Sequence, residues 1–328
     1  METLTRPFLH QSDIQERKSL VIHCAAGWLK SVQEGKHDFF RKLIRHVTLN
    51  GMTSRLVAAE GHAARLMMEQ NHLHLMVGCP PGYGPGRLHA HPSHIWGFWY
   101  FDEIGADLHS SLRFARFHPD EIDREKAEYF FNGVASYMTR ENVSKRAQPA
   151  RLEQPLAAAA AVIFCQQIEL GQERTHYLTT EQMVRVTATT HSNETVYLKP
   201  HPDQPKLVRK ALFDLAAQYP NIRVLDASVH DLVQASQVVV TQNSSAGFEA
   251  LLQQKPVITC GKSDYWHATL TPRNETDLKD ALVYGPDAMS DFQYAKFLYW
   301  FLDRNCLEPA KKDFGQRAWS RIRDKLCI

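Results

Sequence analysis

Two short stretches between residues 195 and 274 decide the fold class of this 328-residue chain. The first, Tyr197-Leu-Lys199-Pro-His201-Pro, is an apolar strand that stops in a turn bearing Lys199 and His201. Proline fixes φ and removes a backbone donor, so the strand cannot run on. The second, Val238-Val-Val-Thr-Gln-Asn-Ser244-Ser-Ala-Gly247-Phe-Glu249-Ala-Leu, is a β-branched run that opens through small polar residues into a helix. A strand feeding a helix in this way leaves the first backbone N–H groups without intrahelical partners, and an anion is their natural occupant.

Strands and helices alternate around these stretches. The second half reads as a strand at 157–165, a polar loop with Gln166 and Gln167, a helix from 180 or 181, a strand at 195–199 and a helix at 206–218. In that last helix Leu207, Val208, Ala211, Leu212 and Leu215 share a face. Segments 222–225, 229–235, 238–241, 245–253 and 256–259 continue the alternation, which describes a doubly wound unit. The first half reads as strands at 19–24, 54–59 and 72–77 with helices at 28–46 and 61–70, again a parallel α/β pattern.

Between the halves the run Cys79-Pro-Pro-Gly-Tyr-Gly-Pro-Gly86 is all turn chemistry. His89, His91, His94 and the aromatic Trp96-Gly-Phe-Trp-Tyr-Phe-Asp102-Glu103 then read as a long irregular loop, of the kind that carries function. An amphipathic helix at 119–140 and a polar linker at 140–155 complete the first half. The expected architecture is therefore α/β with two Rossmann-like domains, 1–150 and 151–275, and a helical segment at 276–328 returning toward the first domain.

Composition narrows the function. A net charge of +2 gives no electrostatic footprint for duplex binding, so nucleic acid is not an expected partner. Six scattered cysteines without a C-x2-C pair suit buried free thiols in a reducing compartment. A polar, charged start excludes a signal peptide, and the longest apolar run, 156–165, is too short to span a bilayer. The expected location is cytoplasmic; the basic residues Lys311-Lys312 and Arg317 to Lys325 read as a solvated helix face, with room for weak peripheral contact at the inner membrane.

His201 and Ser244 both fall at predicted carboxyl ends of strands, where ligands of open α/β sheets sit. A phosphate there would meet backbone N–H groups, the hydroxyls of Ser244 and Ser245, and the His201 imidazole, with Lys199 adjacent. If that phosphate is a leaving group, the same donors stabilise its growing charge and no divalent metal is required. Glu249, about one turn into the helix, suits ribose hydroxyls or simply the helix N-terminus, and Gly261 permits close backbone approach or an ordinary turn. A carboxylate is needed for the acceptor hydroxyl or the anomeric carbon; Asp102 and Glu103, behind sugar-stacking aromatics, are the candidates. His89, His91 and His94 are expected to serve acceptor binding or the surface rather than a metal.

The motifs KPHP at residues 199–202, QNSSAGFEAL at 242–251 and KPVITCG at 255–261 resemble those of the bacterial capsule polysaccharide biosynthesis family, whose members include β-Kdo glycosyltransferases. The resemblance implies a GT-B architecture of two Rossmann-like domains facing a cleft. The N-terminal domain would bind acceptor and the C-terminal one the nucleotide sugar. It implies phosphate binding by His201, Ser244 and Ser245 and a ribose contact from Glu249. Lys199, Gln242, Asn243 and Gly261, in the same stretches, are expected to contact the donor as well. The donor would be a CMP-sugar, CMP-Kdo by analogy, with a glycan or glycolipid acceptor and no separate cofactor. Better-known Kdo transferases carry an EDGF-like acidic motif that this chain lacks; Asp102-Glu103 is its nearest acidic pair. Two other readings stay open: a nucleotide-sugar epimerase-like enzyme, and a non-catalytic scaffold of a polysaccharide export complex.

Overall fold

A computed structural model describes residues 2–3 and 18–326. Two α/β units make up the chain, as the alternation of strands and helices requires. Of the described residues, unit 1 comprises those up to Ser93, then Gly97–Phe114, and those from Phe301; unit 2 comprises His94–Trp96 and Ala115–Trp300.

In unit 1 the elements run β1 (Glu2–Thr3), β2 (Ser19–Cys24), α1 (Ala26–Gln33), α2 (Asp38–Leu49), β3 (Thr53–Ala58), α3 (His62–Met68), β4 (Leu73–Val77), β5 (Arg87–Pro92) and β6 (Trp99–Asp102). The sheet order is β1-β3-β2-β4-β5-β6-β12, where β12 is Cys306–Leu307 near the end of the chain, parallel through β5 and antiparallel beyond it. Period-two alternation sends Leu20, Ile22 and Cys24 into one core and Val21 into a smaller cluster on the opposite face.

Sequence and structure differ here in two places. The helix expected at 28–46 is two helices, because Gly35 adopts φ +68 just past the end of α1 and its N–H bonds back to Val32 O (3.1 Å). The histidine and aromatic run read as loop is instead a hairpin, with His89 opposite Asp102 and His91 opposite Tyr100. Alternation exists there, since Leu88 and Ala90 enter the core, but histidines on the other face and a terminal proline hide it.

Unit 2 contains α4 (Arg124–Arg140), β7 (Ala159–Phe164), α5 (Thr180–Thr190), β8 (Val196–Lys199), α6 (Lys206–Ala216), β9 (Ile222–Val224), α7 (Val229–Ala235), β10 (Ser236–Thr241), α8 (Ser245–Ala250), β11 (Val257–Thr259), α9 (Glu275–Ala288) and α10 (Tyr294–Leu298). Its five-stranded sheet has order β11-β10-β7-β8-β9, every pair parallel. From β7 the chain builds outward through β8 and β9, then returns to the other side of β7 with β10. The switch point between β7 and β10 is where the loops leaving a parallel sheet part and a ligand finds room. In α6 only part of the expected apolar face is covered: Leu212 is buried, whereas Leu207 is 80% exposed.

The first division does not fall at residue 150. Helix α4 buries Ala127, Phe131, Ala135 and Met138 and packs on α10, so it belongs to unit 2. Nor is 140–155 a free linker. Val229 N donates to Gln148 Oε1 (2.8 Å), Ser228 Oγ to Asn142 Oδ1 (2.6 Å), and Arg151 pairs with Asp231. The segment from 276 is also divided: α9 and α10 stay in unit 2. A π-helical stretch (Tyr299–Asn305) leads on to β12 (Cys306–Leu307) and α11 (Phe314–Leu326) in unit 1. There Phe314, Ala318 and Ile322 enter the unit 1 core.

Among the described residues no helix is long and apolar enough to cross a membrane. Cys24, Cys165, Cys260 and Cys306 are buried free thiols and Cys79 is half-buried; Cys327 lies outside the described residues. Several charges of the basic C-terminal run are used internally, since Lys311 and Arg317 pair with Asp303 and Arg321 donates to Asn305 O (2.8 Å).

Candidate functional site

Strands β8 and β10 flank β7, so their tips stand roughly two strand spacings, about 10 Å, apart on the same carboxyl edge. Gln166, just past β7, ties them together. Its Nε2 donates to Asn243 Oδ1 (3.0 Å), and its Oε1 accepts from Asn243 N (2.8 Å) and Thr241 Oγ1 (3.3 Å). On the other side Gln204 Nε2 donates to Gln166 O (3.4 Å), while His201 N donates to Gln204 Oε1 (3.2 Å). A continuous row of hydrogen bonds thus fixes the KPHP turn relative to the NSS turn. In the sequence Gln166 shows only as part of a polar loop, because its partners lie 38 and 77 residues away.

His201 is half-buried, and its Nδ1 accepts the Asp203 N–H (3.2 Å). Burial, and then the nearby Arg146 guanidinium, lower its pKa below the usual histidine value, so the ring is neutral at pH 7. A neutral imidazole that accepts at Nδ1 carries its proton on Nε2. The KPHP turn therefore presents one N–H donor, with the cation of Arg146 near it. Arg146 is paired with Asp203 and 57% exposed at its side chain; it sits in the stretch read as linker, which gave no signal of this role.

Ser244 is the N-cap of α8, with its Oγ accepting the Ala246 N–H (3.2 Å). Ser245 Oγ lies 3.0 Å from His94 Nδ1, and His94 Nε2 lies 2.9 Å from Asp264 Oδ1. Both serines are half-buried. Gly247 lets α8 press against its own strand, for a Cβ there would stand 2.8 Å from Thr241 Cγ2.

Other expected ligands are held by the protein itself. Lys199 donates to Asp226 Oδ1 (2.8 Å) and Ala227 O (2.6 Å), and is 8% exposed. Its ammonium braces the β8 tip instead of waiting for phosphate. Gln242 is fully buried, donating to Glu169 Oε1 (2.9 Å) and Leu178 O (3.0 Å). Asn243 is bound to Gln166 and donates to Lys262 O (2.9 Å), so it locks loops together. Gly261 does give close approach, but to protein backbone: a Cβ would lie 3.1 Å from Thr175 O and 3.2 Å from Gln242 O.

Glu249 is 2% exposed, with Ser144 Oγ donating to its two oxygens (2.8 and 2.9 Å) and Lys145 N to one (3.0 Å). Burial pushes its carboxyl up to about 7 despite these donors. It anchors the 144–146 segment, and hence Arg146, in place of the ribose contact expected of it.

In unit 1 Asp102 is equally committed. Five groups donate to its carboxylate, namely Ile104 N (2.7 Å), Gly105 N (3.0 Å), Ser110 Oγ (2.8 Å), and Ser111 N and Oγ (2.9 and 2.8 Å). With its lone pairs filled Asp102 organises the 104–111 loop in place of the catalytic role expected of it. Glu103 is exposed and lines a cavity of about 320 Å³ with Arg304, Asn305, Arg321 and Asp324. The three histidines have separate surroundings: His89 Nε2 donates to Gly82 O (3.0 Å), His91 Nδ1 donates to Pro92 O (2.8 Å), and His94 lies in unit 2.

Among solved structures the chain is similar to the β-Kdo 2,7 transferase of Thermosulfurimonas dismutans KpsC, with 15% identity over 80% of this chain and 88% of that one and a TM-score of 0.50. It is also similar to the β-Kdo 2,4 transferase of the same protein (15%, 81% and 91%, TM-score 0.48). A third match is the Methanocaldococcus jannaschii UDP-GlcNAc 2-epimerase (10%, 93% and 99%, TM-score 0.38). The first of these shows a shared GT-B-like α/β fold. No curated protein matches in sequence. The family model for capsule polysaccharide biosynthesis protein matches residues 124–298, more than half of the chain and wholly within unit 2. The chain belongs to the capsule polysaccharide biosynthesis protein family.

Proposed function

We propose that this protein is a nucleotide-sugar-dependent glycosyltransferase of capsule or surface polysaccharide assembly, with unit 2 holding the donor. Its donor is a CMP-sugar, CMP-Kdo by analogy with the transferases it resembles, and its acceptor is a glycan or glycolipid. The observation that carries this reading is the hydrogen-bonded row from His201 through Gln204 and Gln166 to Asn243, which holds one outward N–H donor and two serines on one sheet edge. A nucleotide phosphate placed there accepts from His201 Nε2–H and from Ser244 and Ser245, with Arg146 adding positive charge.

As the bond between the anomeric carbon and the phosphate oxygen breaks, negative charge grows on that oxygen and the same donors stabilise it. The reading needs no divalent ion for this step. Glu103 remains the acceptor-side carboxylate: both residues line the cavity, but Asp102 has none of its lone pairs open.

Incubation with CMP-Kdo, with and without an added glycan, in buffer containing a chelator tests the proposal. Glycan-dependent CMP release is expected. Turnover of a nucleotide sugar without acceptor indicates an epimerase-like reaction, and binding without turnover a scaffold.

A further inference from the structure

The family match begins at residue 124, yet the side chain bonded to Ser245 Oγ comes from His94, upstream of it. The His94 ring lies on Phe248, with centroids 5.0 Å apart and planes 22° apart, and meets Tyr265 edge-on. Asp264 and His94 are 1% and 2% exposed, whereas Ser245 is half-buried. The row Asp264–His94–Ser245 therefore has a closed end and an open one.

Charge dictates the direction of hydrogen bonding along this row. A carboxylate only accepts, so His94 Nε2 carries a proton whether the ring is neutral or charged. Only Nδ1 changes. In the neutral ring Nδ1 accepts the Ser245 O–H, and Ser245 shows lone pairs outward, which an anion rejects. In the imidazolium, Nδ1–H donates to Ser245 Oγ and the hydroxyl proton is released outward, where an anion accepts it.

We propose that Asp264, His94 and Ser245 form a proton relay that converts Ser245 into a phosphate donor, so that nucleotide binding takes up a proton at His94. This rests on the reading of the β8 and β10 tips as a nucleotide-phosphate site. His94 and Asp264 act through Ser245 and are positioning residues. Four other titratable groups face the row: Glu249 from α8, which interacts electrostatically with His94; Lys145 beside Glu249; His267 beside Asp264; and Tyr265, edge-on to His94, whose hydroxyl donates to Ser244 O (2.7 Å).

The test is calorimetric titration of CMP in buffers of different ionisation enthalpy, between about pH 7 and about pH 9, above the phosphate's second ionisation near ~6. Wild type is expected to take up a proton on binding, with affinity falling by up to about tenfold per pH unit. Asp264→Asn keeps the shape but removes the counter-charge, so uptake disappears and affinity becomes independent of pH; His94→Ala behaves the same way. Glu249→Gln retains the uptake, which locates the proton on His94. Binding of CMP with equal uptake in wild type and Asp264→Asn, or with no uptake in wild type, overturns the relay and leaves the phosphate site standing. No binding of CMP, UDP or GDP by wild type removes the phosphate site and the relay with it.

Discussion

Asp102 in unit 1 and His201 in unit 2 invite the same reading, a polar residue at the end of a strand, yet their surroundings differ. Asp102 is the last residue of β6 and its own loop fills it with five donors. His201 lies two residues past β8, and the loop around it uses only Nδ1. Position at a strand end nominates a residue. The hydrogen-bonding capacity left over after the loop has closed decides whether it can meet a ligand.

The contrast is easiest to break at its largest expected effect. Asp102→Ala orphans buried donors on the 104–111 loop and is expected to cost about 3–5 kcal/mol of stability by chemical denaturation, without altering CMP affinity. A loss of CMP affinity in a folded Asp102 variant would put that carboxylate back at the site.

Glu249 is the counterpart in unit 2, a buried carboxylate whose pKa is raised from 4.5 to about 7. Between those values the folded state holds a proton that the unfolded state has released, so stability falls as pH rises through about 7. Glu249→Gln removes this loss, and about 3 kcal/mol of relative stabilisation is expected above pH 8, fading toward pH 4. Urea melts of both proteins across this range check it. A wild-type curve that rises through the same window contradicts the buried-carboxyl account.

Next in size, His201→Ala removes the outward N–H and is expected to weaken CMP binding by about 2 kcal/mol, roughly 30-fold, at unchanged melting temperature. The smallest effect belongs to Ser244→Ala, which removes the α8 cap and is expected to cost about 1 kcal/mol of stability, with a smaller loss of CMP affinity. If Ser244→Ala harms binding more than His201→Ala, the phosphate rests on the serines rather than on the imidazole.

How much of this was legible in the sequence follows from range. Period-two runs such as Val238-Val-Val and the proline turn at residues 200–202 are local, so the parallel sheet and the edge carrying His201 and Ser244 could be read directly. The hairpin of β5 and β6 escaped because only Leu88 and Ala90 mark its core face, while His89 and His91 on the other face and Pro92 at its end read as loop. Asp264 and Gln166 escaped because each matters only through partners distant in the chain, His94 lying 170 residues from Asp264. Lys199, Gln242, Asn243 and Glu249 were placed in the right elements but given the wrong neighbours, since sequence does not show which polar groups the protein will satisfy with its own atoms.

The central claim is that the tips of β8 and β10 grip a nucleotide phosphate through His201. It is tested most directly by thermal melting of wild type and His201→Ala with CMP, UDP and GDP, because selective binding raises the melting temperature by mass action. The account predicts the largest shift for wild type with CMP, and a much smaller one at the same CMP concentration for His201→Ala, whose ligand-free melting temperature is unchanged. An equal CMP shift in both proteins would contradict it.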